Sequence, residues 1–397
     1  MFEVFLPLLF AALMGAVVWA GPSGTDEDEA QPPDNDGGDD ADRDAERTSF
    51  LQDQTFFVLP GASGSIAVPD AAQSVEISAE TEDELYFEPP FSFLLEPAGA
   101  PMNPLIIEGN DTAETYLLSG SGYEVNTGGG GDLVRIAAAS NLIVTAGDGD
   151  TVEGPDLADG ITAEDARTLY VSLTGNGTYI GGDAGLGYVV ATGTGNTVTG
   201  GPGAESVISF GAATIDTGAG DDVINTTATL SQFMPTAQDS LSFYINPAPN
   251  QIDAGAGDDQ IWASHNDTIT GGPGADDITL FISPRVTPEA APVITDFDPQ
   301  EDAILIYYGG FVNFDLEDVS LVGDVSIREE GDDTLIQGRD GGTIATLQAV
   351  TSLRVGLWTP VPDSPDGSGG TFTDLDGTPV PRETLDVIVT KYQETMT

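Results

Sequence analysis

A nine-residue apolar periodicity runs through the middle of this 397-residue chain. Nine is not a helical period, and glycine, proline and other turn-forming residues lie between the apolar positions. The period therefore predicts short strands joined by tight turns, stacked as the coils of a repeat protein. We expect an all-β fold: a parallel β-roll or β-helix solenoid of nonapeptide repeats with a C-terminal antiparallel β cap. The periodic positions are Ile107, Tyr116, Val125, Val134, Ile143, Val152, Ile161, Tyr170, Ile180, Val189, Val198, Val207, Ile215, Ile224, Ile252, Ile261, Ile269 and Ile278.

Charge and composition exclude most functional classes. The chain has 66 Asp and Glu against 10 Lys and Arg, a formal net charge of -56, which repels phosphate backbones and argues against nucleic-acid binding. It has no cysteine and one histidine, so thiolate metal sites, disulfides and cysteine nucleophiles are excluded, and imidazole chemistry is nearly so. Carboxylate, hydroxyl and backbone oxygens remain, the ligands that suit hard cations such as calcium.

Three repeats are especially well formed, at 217–225, 254–262 and 271–279. Each has a glycine-rich turn, an acidic residue at its end and an apolar residue in the following strand. Weaker copies occupy 127–134 and 200–207. Glycine permits the positive φ angles of such turns, and an acidic side chain beside exposed carbonyls provides hard oxygen ligands.

This pattern resembles the hemolysin-type calcium-binding repeats of the bacterial RTX family, over residues 120–283. The resemblance implies coils of about 18 residues with calcium between successive turns on each edge. It implies that Asp222, Asp259, Asp267 and Asp276 are side-chain ligands. The glycines that shape loops with ligating carbonyls are Gly218, Gly220, Gly255, Gly257, Gly272 and Gly274. The weaker copies add Asp132 and Glu205 to the expected metal ligands.

Some coils depart from the family pattern. Leu186 occupies an acidic position, and Asn176 and Asn196 replace aspartate in shortened turns. We expect the coils between about 160 and 200 to be held by asparagine ladders and apolar packing. Residues 229–249 interrupt the roll as an insertion.

The N-terminal part divides into three segments. Residues 1–20 are almost wholly apolar, which predicts either a retained membrane anchor or a cleaved signal. Residues 21–49 form an acidic, disordered spacer without enough apolar side chains to bury a core. Residues 50–119 form a β region or the first coils of the solenoid.

The C-terminal part divides into two. Residues 284–358 are expected to form the β cap, which protects the exposed strand edge of the last coil. Residues 359–397 are expected to form a linker and tail. Within them, Asp386 followed by three apolar residues resembles the export signal of secreted RTX proteins, and a frayed terminal helix or strand explains the segment equally well.

His265 precedes Asn266 and Asp267 in a repeat turn. We expect it to be an exposed turn residue, because a catalytic triad needs a buried base oriented by a third group. The zinc motif HExxH is impossible with a single histidine.

These observations favour a calcium-binding structural or adhesive protein, extracellular or at a cell surface and anchored there if residues 1–20 are retained. We expect the roll to fold on calcium binding, to catalyse no reaction and to have a cell-surface polysaccharide or matrix as its partner. The alternative is a solenoid polysaccharide lyase or epimerase that works with carboxylates and tyrosine. A clustered Tyr, Asp and Arg set on one solenoid face favours the enzyme, and an evenly acidic face favours the structural protein.

Overall fold

A computed structural model of the chain describes seven stretches, at 49–80, 105–227, 248–282, 290–308, 321–339, 341–360 and 370–390. The expected membrane segment at 1–20, nearly all of the acidic spacer at 21–49 and most of the insertion at 229–249 lie outside these residues. Within the described stretches, no helix is long and apolar enough to cross a membrane.

Parallel strands form two ladders, A and B, and the chain alternates between them. Ladder A pairs β2 (Thr55–Val58), β4 (Ser74–Ile77), β6 (Thr115–Gly128), β7 (Leu133–Ala146), β8 (Thr151–Glu153), β10 (Thr178–Ile180), β12 (Asn196–Thr199), β14 (Ala213–Asp216), β16 (Gln251–Asp253), β18 (Thr268–Thr270), β20 (Val293–Ile294) and β24 (Thr343–Leu347). Ladder B pairs β3 (Ser65–Ala67), β5 (Leu105–Asn110), the second halves of β6 and β7, β9 (Leu169–Thr174), β11 (Leu186–Thr192), β13 (Glu205–Ser209), β15 (Val223–Asn225), β17 (Gln260–Ala263), β19 (Asp277–Ile282), β21 (Ala303–Tyr308), β27 (Val387–Thr390) and β25 (Val355–Pro360).

The core lies between the two ladders. In ladder B, Ile224, Ile261 and Ile278 pair in register, and each is 1% exposed or less. In ladder A, Ile252 and Ile269 pair in the same way. Because side chains alternate between the faces of a strand, each short strand puts its central apolar residue inside. The all-β, mostly parallel and open arrangement fits the predicted solenoid.

The region 50–119 contains the first coils of the solenoid. Strands β2 and β4 begin ladder A, and β3 and β5 begin ladder B. A further strand, β1 (Ser49–Gln52), pairs antiparallel with β2 at this end. The repeat architecture therefore extends well before residue 120, where the glycine-rich repeats begin.

The C-terminal end contains antiparallel pairings. Strands β22 (Ser326–Glu330) and β23 (Asp333–Gln337) form a hairpin, and β23 pairs antiparallel with β24. Strand β26 (Gly370–Asp374) forms a second hairpin with β25. The described helical segments are short: a 3-10 turn at Leu157–Asp159, the α-helical turn α1 (Ala163–Ala166) and a 3-10 turn at Arg382–Thr384.

Three periodic apolar positions do not point into the core, contrary to the nine-residue count. Ile180 is 43% exposed, and its neighbour Tyr179 is fully buried instead. Ile143 and Tyr170 pair on the outer face of ladder B, where Tyr170 packs against Val190 and Ile208. The turns in this part of the chain have irregular lengths, and a one-residue slip moves a side chain to the other face of a strand.

The segment 359–397 is not merely a linker and tail, because it contains β26 and β27. Strand β27 lies between β21 and β25 in ladder B, and all four of its residues are buried. Asp386, directly before β27, pairs with Arg354, whose Nη2 lies 2.5 Å from Asp386 Oδ1. The apolar run that resembled an export signal is thus an internal strand of the solenoid.

Candidate metal centre

A column of acidic side chains follows one edge of the solenoid, at the position where the strands of ladder B begin. Because these strands are paired in register, equivalent residues of successive coils lie about 4.8 Å apart. We name this set the carboxylate column. Its members are Glu205, Asp222, Asp259, Asp276 and Asp302.

One oxygen of each aspartate in the column joins two coils. Asp222 Oδ1 accepts the backbone N–H of Glu205 at 2.7 Å, and Asp259 Oδ1 accepts that of Asp222 at 2.7 Å. Asp276 Oδ1 accepts the N–H of Asp259 at 3.0 Å, and Asp302 Oδ1 that of Asp276 at 3.1 Å. These bonds satisfy the backbone donor at the start of each strand, where the chain leaves the turn.

Asp302 Oδ2 accepts the backbone N–H of Asp298 at 2.8 Å. The five other oxygens of the column are buried without a partner. They are the Oδ2 atoms of Asp222, Asp259 and Asp276 and both carboxylate oxygens of Glu205. All four side chains belong to residues that are 1% exposed. An ionised carboxylate buried without a counter-charge is strongly unfavourable. A hard cation such as calcium satisfies such oxygens, so this donor set fits calcium.

The same burial raises the pKa values of these carboxyl groups. The pKa of Glu205 rises to about 8, chiefly through burial and then through the charge of Asp222. The pKa of Asp259 rises to about 7 and that of Asp276 to about 6, again chiefly through burial. Nearby acidic groups add to the rise, because like charges disfavour ionisation. The column therefore carries closely spaced acidic groups without positive charge to balance them.

The predicted glycines lie in the turns before the column and permit close stacking of the coils. A Cβ on Gly255 would lie 2.0 Å from the carbonyl oxygen of Gly218, and one on Gly272 would lie 1.7 Å from that of Gly255. Both residues have positive φ, as Gly218 does. Glycine is therefore required at each position for two reasons: the backbone has positive φ, and the preceding coil leaves no room for a Cβ atom.

A second row of glycines follows two residues later in each turn. Gly220, Gly257 and Gly274 all have φ above 130°. A Cβ on Gly257 would lie 1.7 Å from the carbonyl oxygen of Gly220, and one on Gly274 would lie 1.7 Å from that of Gly257. The turns thus stack their backbone carbonyls beside the column, where these oxygens could complete the coordination of a cation.

Two predicted ligands lie on the opposite edge of the solenoid, before the strands of ladder A. Asp132 resembles the column: its Oδ1 accepts the N–H of Glu114 at 2.7 Å, and its Oδ2 is buried without a partner. Its pKa rises to about 7, chiefly through burial. Asp150 continues this edge by accepting the N–H of Asp132 at 2.8 Å.

Asp267 differs from the other predicted ligands because protein donors occupy both of its oxygens. Oδ1 accepts the backbone N–H and the side-chain amide of Asn250, and Oδ2 accepts the Thr226 hydroxyl and the Ser264 N–H. Asn250 in turn accepts the N–H of Ala213 at 3.0 Å. Asp267 is thus bound into a structural network, and among the six predicted acidic ligands it fits a cation least well.

Between Asp150 and Asn250, the equivalent positions of this edge are Gly177, Asn196 and Ala213, so one asparagine stands in place of aspartate. Asn196 Oδ1 accepts the N–H of Gly177 at 3.0 Å, and its amide donates to the carbonyl of Thr192 at 2.9 Å. Leu186, at the start of the other edge, is 2% exposed and packs in the core. Asn196 thus forms the same inter-coil bond without a charge.

The sequence pattern missed Asp302, which ends the carboxylate column. It lies in a turn without glycine, so no repeat motif marks it. Asp302 could have been found by its position directly before the strand Ala303–Tyr308. Asp276 and Asp259 also lie directly before their strands.

The described residues contain no cluster of three or more His, Asp or Glu side chains that could hold a metal by themselves. The carboxylates are stacked along the solenoid rather than gathered around one point. A cation in the column would therefore need carbonyl oxygens of the glycine turns as well as carboxylate oxygens, which is compatible with the ligand preferences of calcium.

His265 is buried, with 3% exposure, so the expectation of an exposed turn residue is wrong. The turn carrying it, Ser264 to Asp267, is covered at this edge, and Asn266 donates its N–H to Ala290 at 2.7 Å. Burial lowers the pKa of His265 to about 4, so the imidazole is neutral at physiological pH.

A cavity of 440 Å³ lies on the outer face of ladder B. Its floor is formed by outward side chains of β17, β19, β21 and β27, and hairpin β25–β26 and the 3-10 turn at Arg382–Thr384 add further lining. Its aromatic and charged lining side chains are Trp262, Asp277, Tyr307, Trp358, Phe372 and Arg382.

Comparison of the chain with protein-family models, with curated proteins and with solved structures finds no match.

Proposed function

We propose that this protein binds calcium along the carboxylate column and acts as a calcium-dependent structural or adhesive protein. The observation that carries the proposal is the repeated buried oxygen without a partner, at Asp222, Asp259 and Asp276 on three successive coils. One such atom is a local irregularity. Three at equivalent positions beside stacked glycine turns favour a repeated ligand.

The electrostatics explain why calcium would control folding. Neighbouring ionised carboxylates in the column repel each other by about 1 to 4 kcal/mol at effective dielectric constants of ~80 to ~20. A typical domain is stable by only ~5 to 15 kcal/mol, so several such pairs are a large fraction of the total. Calcium reverses the sign of this interaction, and because the unfolded chain has no preformed site, binding free energy becomes folding free energy.

We propose that the protein acts outside the cell or at its surface. Extracellular calcium modules typically bind at about 10⁻⁴ to 10⁻³ M, so such a roll would stay loose at low calcium and fold after export. The net charge of -56 favours solubility and repels nucleic acid. A membrane anchor at 1–20 would hold the roll at the surface, with a polysaccharide or matrix as partner.

The test is a calcium titration of the full chain, followed by circular dichroism and thermal unfolding. We expect β signal and melting temperature to rise together with calcium and to fall when a chelator is added. Magnesium is the control, since it demands octahedral geometry and loses its waters reluctantly. The same spectrum and melting temperature with and without calcium would contradict the proposal.

A carbohydrate-active enzyme is the second candidate, because Tyr307, Asp277 and Arg382 line one cavity on one solenoid face. This is the clustering expected for a lyase or epimerase, in which tyrosine or aspartate moves a proton and arginine binds the sugar carboxylate. Incubation with uronate polymers, followed by ultraviolet absorbance for unsaturated products and NMR for epimerised ones, tests it. Turnover that is lost in Tyr307→Phe and Asp277→Asn would support the enzyme, and absence of turnover would contradict it.

A further inference from the structure

The cavity on ladder B concentrates aromatic side chains that are far apart in sequence. The chain has only three tryptophans, and two of them, Trp262 and Trp358, line this one cavity. Both are half-buried, so part of each ring faces solvent. Aromatic side chains gathered at one partly exposed concave site mark a candidate ligand-binding surface.

The local backbone fixes the position of Trp358. Its partner across hairpin β25–β26 is Phe372, so the two rings lie on the same side of the hairpin. A Cβ on Gly370 would lie 1.9 Å from Trp358 Nε1, so the indole lies directly against the glycine backbone. On the cavity floor, Tyr307 stacks on Phe281 with ring centroids 5.1 Å apart. The aromatic lining is therefore held in place before any ligand binds.

Polar groups accompany the rings. Gln260 and Asp277 pair in register on the floor, and both are exposed. Arg382 donates one N–H to the carbonyl of Leu385 at 3.1 Å, which orients the guanidinium and leaves its other N–H groups for a ligand. Donors and acceptors thus lie beside apolar ring faces in one concave site, which is the composition of a small-molecule or oligosaccharide site.

The charge of the lining selects between ligand classes. Among the described residues of the lining, Asp277 and Arg382 are the acidic and basic side chains, one of each sign. Around them the protein is strongly acidic, and charges are screened only beyond about 8 to 10 Å at physiological ionic strength. A polyanion is therefore repelled near the site, whereas a neutral ligand is not.

From this combination we infer that the cavity binds a neutral glycan chain. Pyranose rings present flat faces of C–H groups that pack on aromatic rings, and their hydroxyl groups both donate to carboxylates and accept from guanidinium and amide groups. The inference rests on the adhesive part of the proposed function and specifies its partner. In this arrangement, Trp262 and Trp358 contact the sugar faces, and Asp277, Gln260 and Arg382 bind hydroxyl groups.

The test uses the full chain in calcium-containing buffer on an array of neutral glucans, mannans and galactans, with alginate and polygalacturonate as acidic comparisons. Hits are titrated by tryptophan fluorescence with a soluble oligosaccharide of the same composition. We expect saturable binding to at least one neutral glycan and weaker binding to both uronates. Trp358→Ala and Trp262→Ala should each weaken binding at least about tenfold.

Controls separate loss of the site from loss of the fold. Phe50→Ala removes an exposed aromatic ring on β1, at the opposite end of the solenoid, and should leave binding unchanged. Asp277→Asn and Arg382→Gln alter hydroxyl recognition without removing a ring, and each should weaken binding while the calcium-dependent melting temperature is kept. Three results would overturn this inference: no binding to any neutral glycan, stronger binding to uronates, or unchanged binding in both tryptophan variants. If folding still depends on calcium in that case, the calcium proposal stands.

Discussion

Asp276 Oδ1 accepts the backbone N–H of Asp259 at 3.0 Å, and Oδ2 of the same carboxylate is buried without a hydrogen-bond partner. The same division recurs one and two coils earlier, at Asp259 and Asp222. One oxygen joins two coils, whereas the other brings negative charge into the turn. A substitution that changes only the second oxygen can therefore separate the structural role of the side chain from its role in cation binding.

Asp259→Asn should stabilise the calcium-free protein and destabilise the calcium-bound protein. The amide keeps an oxygen for the N–H of Asp222 but removes a charge that lies between Asp222 and Asp276. Relief of repulsion is worth about 1 to 4 kcal/mol for each close pair, whereas loss of a charged ligand weakens calcium binding. The melting temperature, measured in chelator and in about 10⁻³ M calcium, should rise in the first condition and fall in the second, relative to the unsubstituted protein.

Asp258→Asn is the matched control for that experiment. Asp258 is the preceding residue, is exposed, and accepts the N–H of Ala275 at 3.0 Å through Oδ1, a bond that asparagine can keep. The melting temperature of the Asp258→Asn variant should change little in chelator or in calcium. A shift of the same sign in chelator and in calcium for Asp259→Asn would contradict the cation-binding role of that residue.

The calcium-free protein should be more stable at pH 7 than at pH 8.5. Folding raises the pKa of Glu205 to about 8 and those of Asp259 and Asp132 to about 7, above their unfolded values. The folded chain therefore holds protons that the unfolded chain has released, and stability falls as pH rises through this window. Metal-free thermal unfolding at the two pH values tests this.

The pH range of this experiment must avoid the titration of His265. Its pKa falls to about 4 on folding, so its contribution to stability is lost as pH falls below its unfolded value near 6.5. Comparing pH 7 with pH 8.5 keeps the histidine largely neutral in both states. Equal melting temperatures, or a higher one at pH 8.5, would show that the column carboxylates are not protonated in the calcium-free fold.

Gly257→Ala should destabilise the protein by more than a glycine substitution that only strains the backbone. Gly257 has φ of 153°, and a Cβ there would lie 1.7 Å from the carbonyl oxygen of Gly220. Gly331→Ala is the control, since Gly331 has φ of 71° but no atom near its Cβ position. The difference should be about 1 to 3 kcal/mol, as for overpacking, in urea unfolding with calcium present.

Val389→Ala should destabilise the fold by about 2 kcal/mol, because it removes buried carbon atoms and leaves a cavity. Val389 is fully buried in β27 and pairs with Ile306 and Leu357 on either side. Val322→Ala, at a residue that is 45% exposed, should cost much less. Equal effects of the two substitutions would indicate that β27 does not contribute to the folded solenoid in solution.

The sequence predicted the repeat architecture well where the turns are regular. From Val198 to Ile224 and from Ile252 to Ile278, the apolar positions alternate between ladders as expected, because the turns within each stretch have nearly the same length. It failed at Ile143, Tyr170 and Ile180, where turn lengths vary. A count along the chain carries no information about which residues pair, and pairing decides which face each side chain occupies.

The candidate site was only partly predictable. The resemblance to RTX repeats selected Asp222, Asp259 and Asp276, which lie together in one column. It also selected Asp267, although protein donors satisfy both of its oxygens. Asp302 was missed because its turn has no glycine. Motif matching reads the local turn, whereas the partners of each oxygen come from residues on other coils.

By itself, the sequence determined the stacking of short parallel strands, the need for glycine in the turns and the shortage of positive charge, since these follow from local periodicity and composition. The tertiary structure decided which carboxylate oxygens lack a partner, that β27 is an internal strand, and that Trp262 and Trp358 line one cavity. Each of these depends on contacts between residues that are distant in sequence. Such contacts exist only when the coils are in register, because register brings residues from separate turns within a few ångströms of one another.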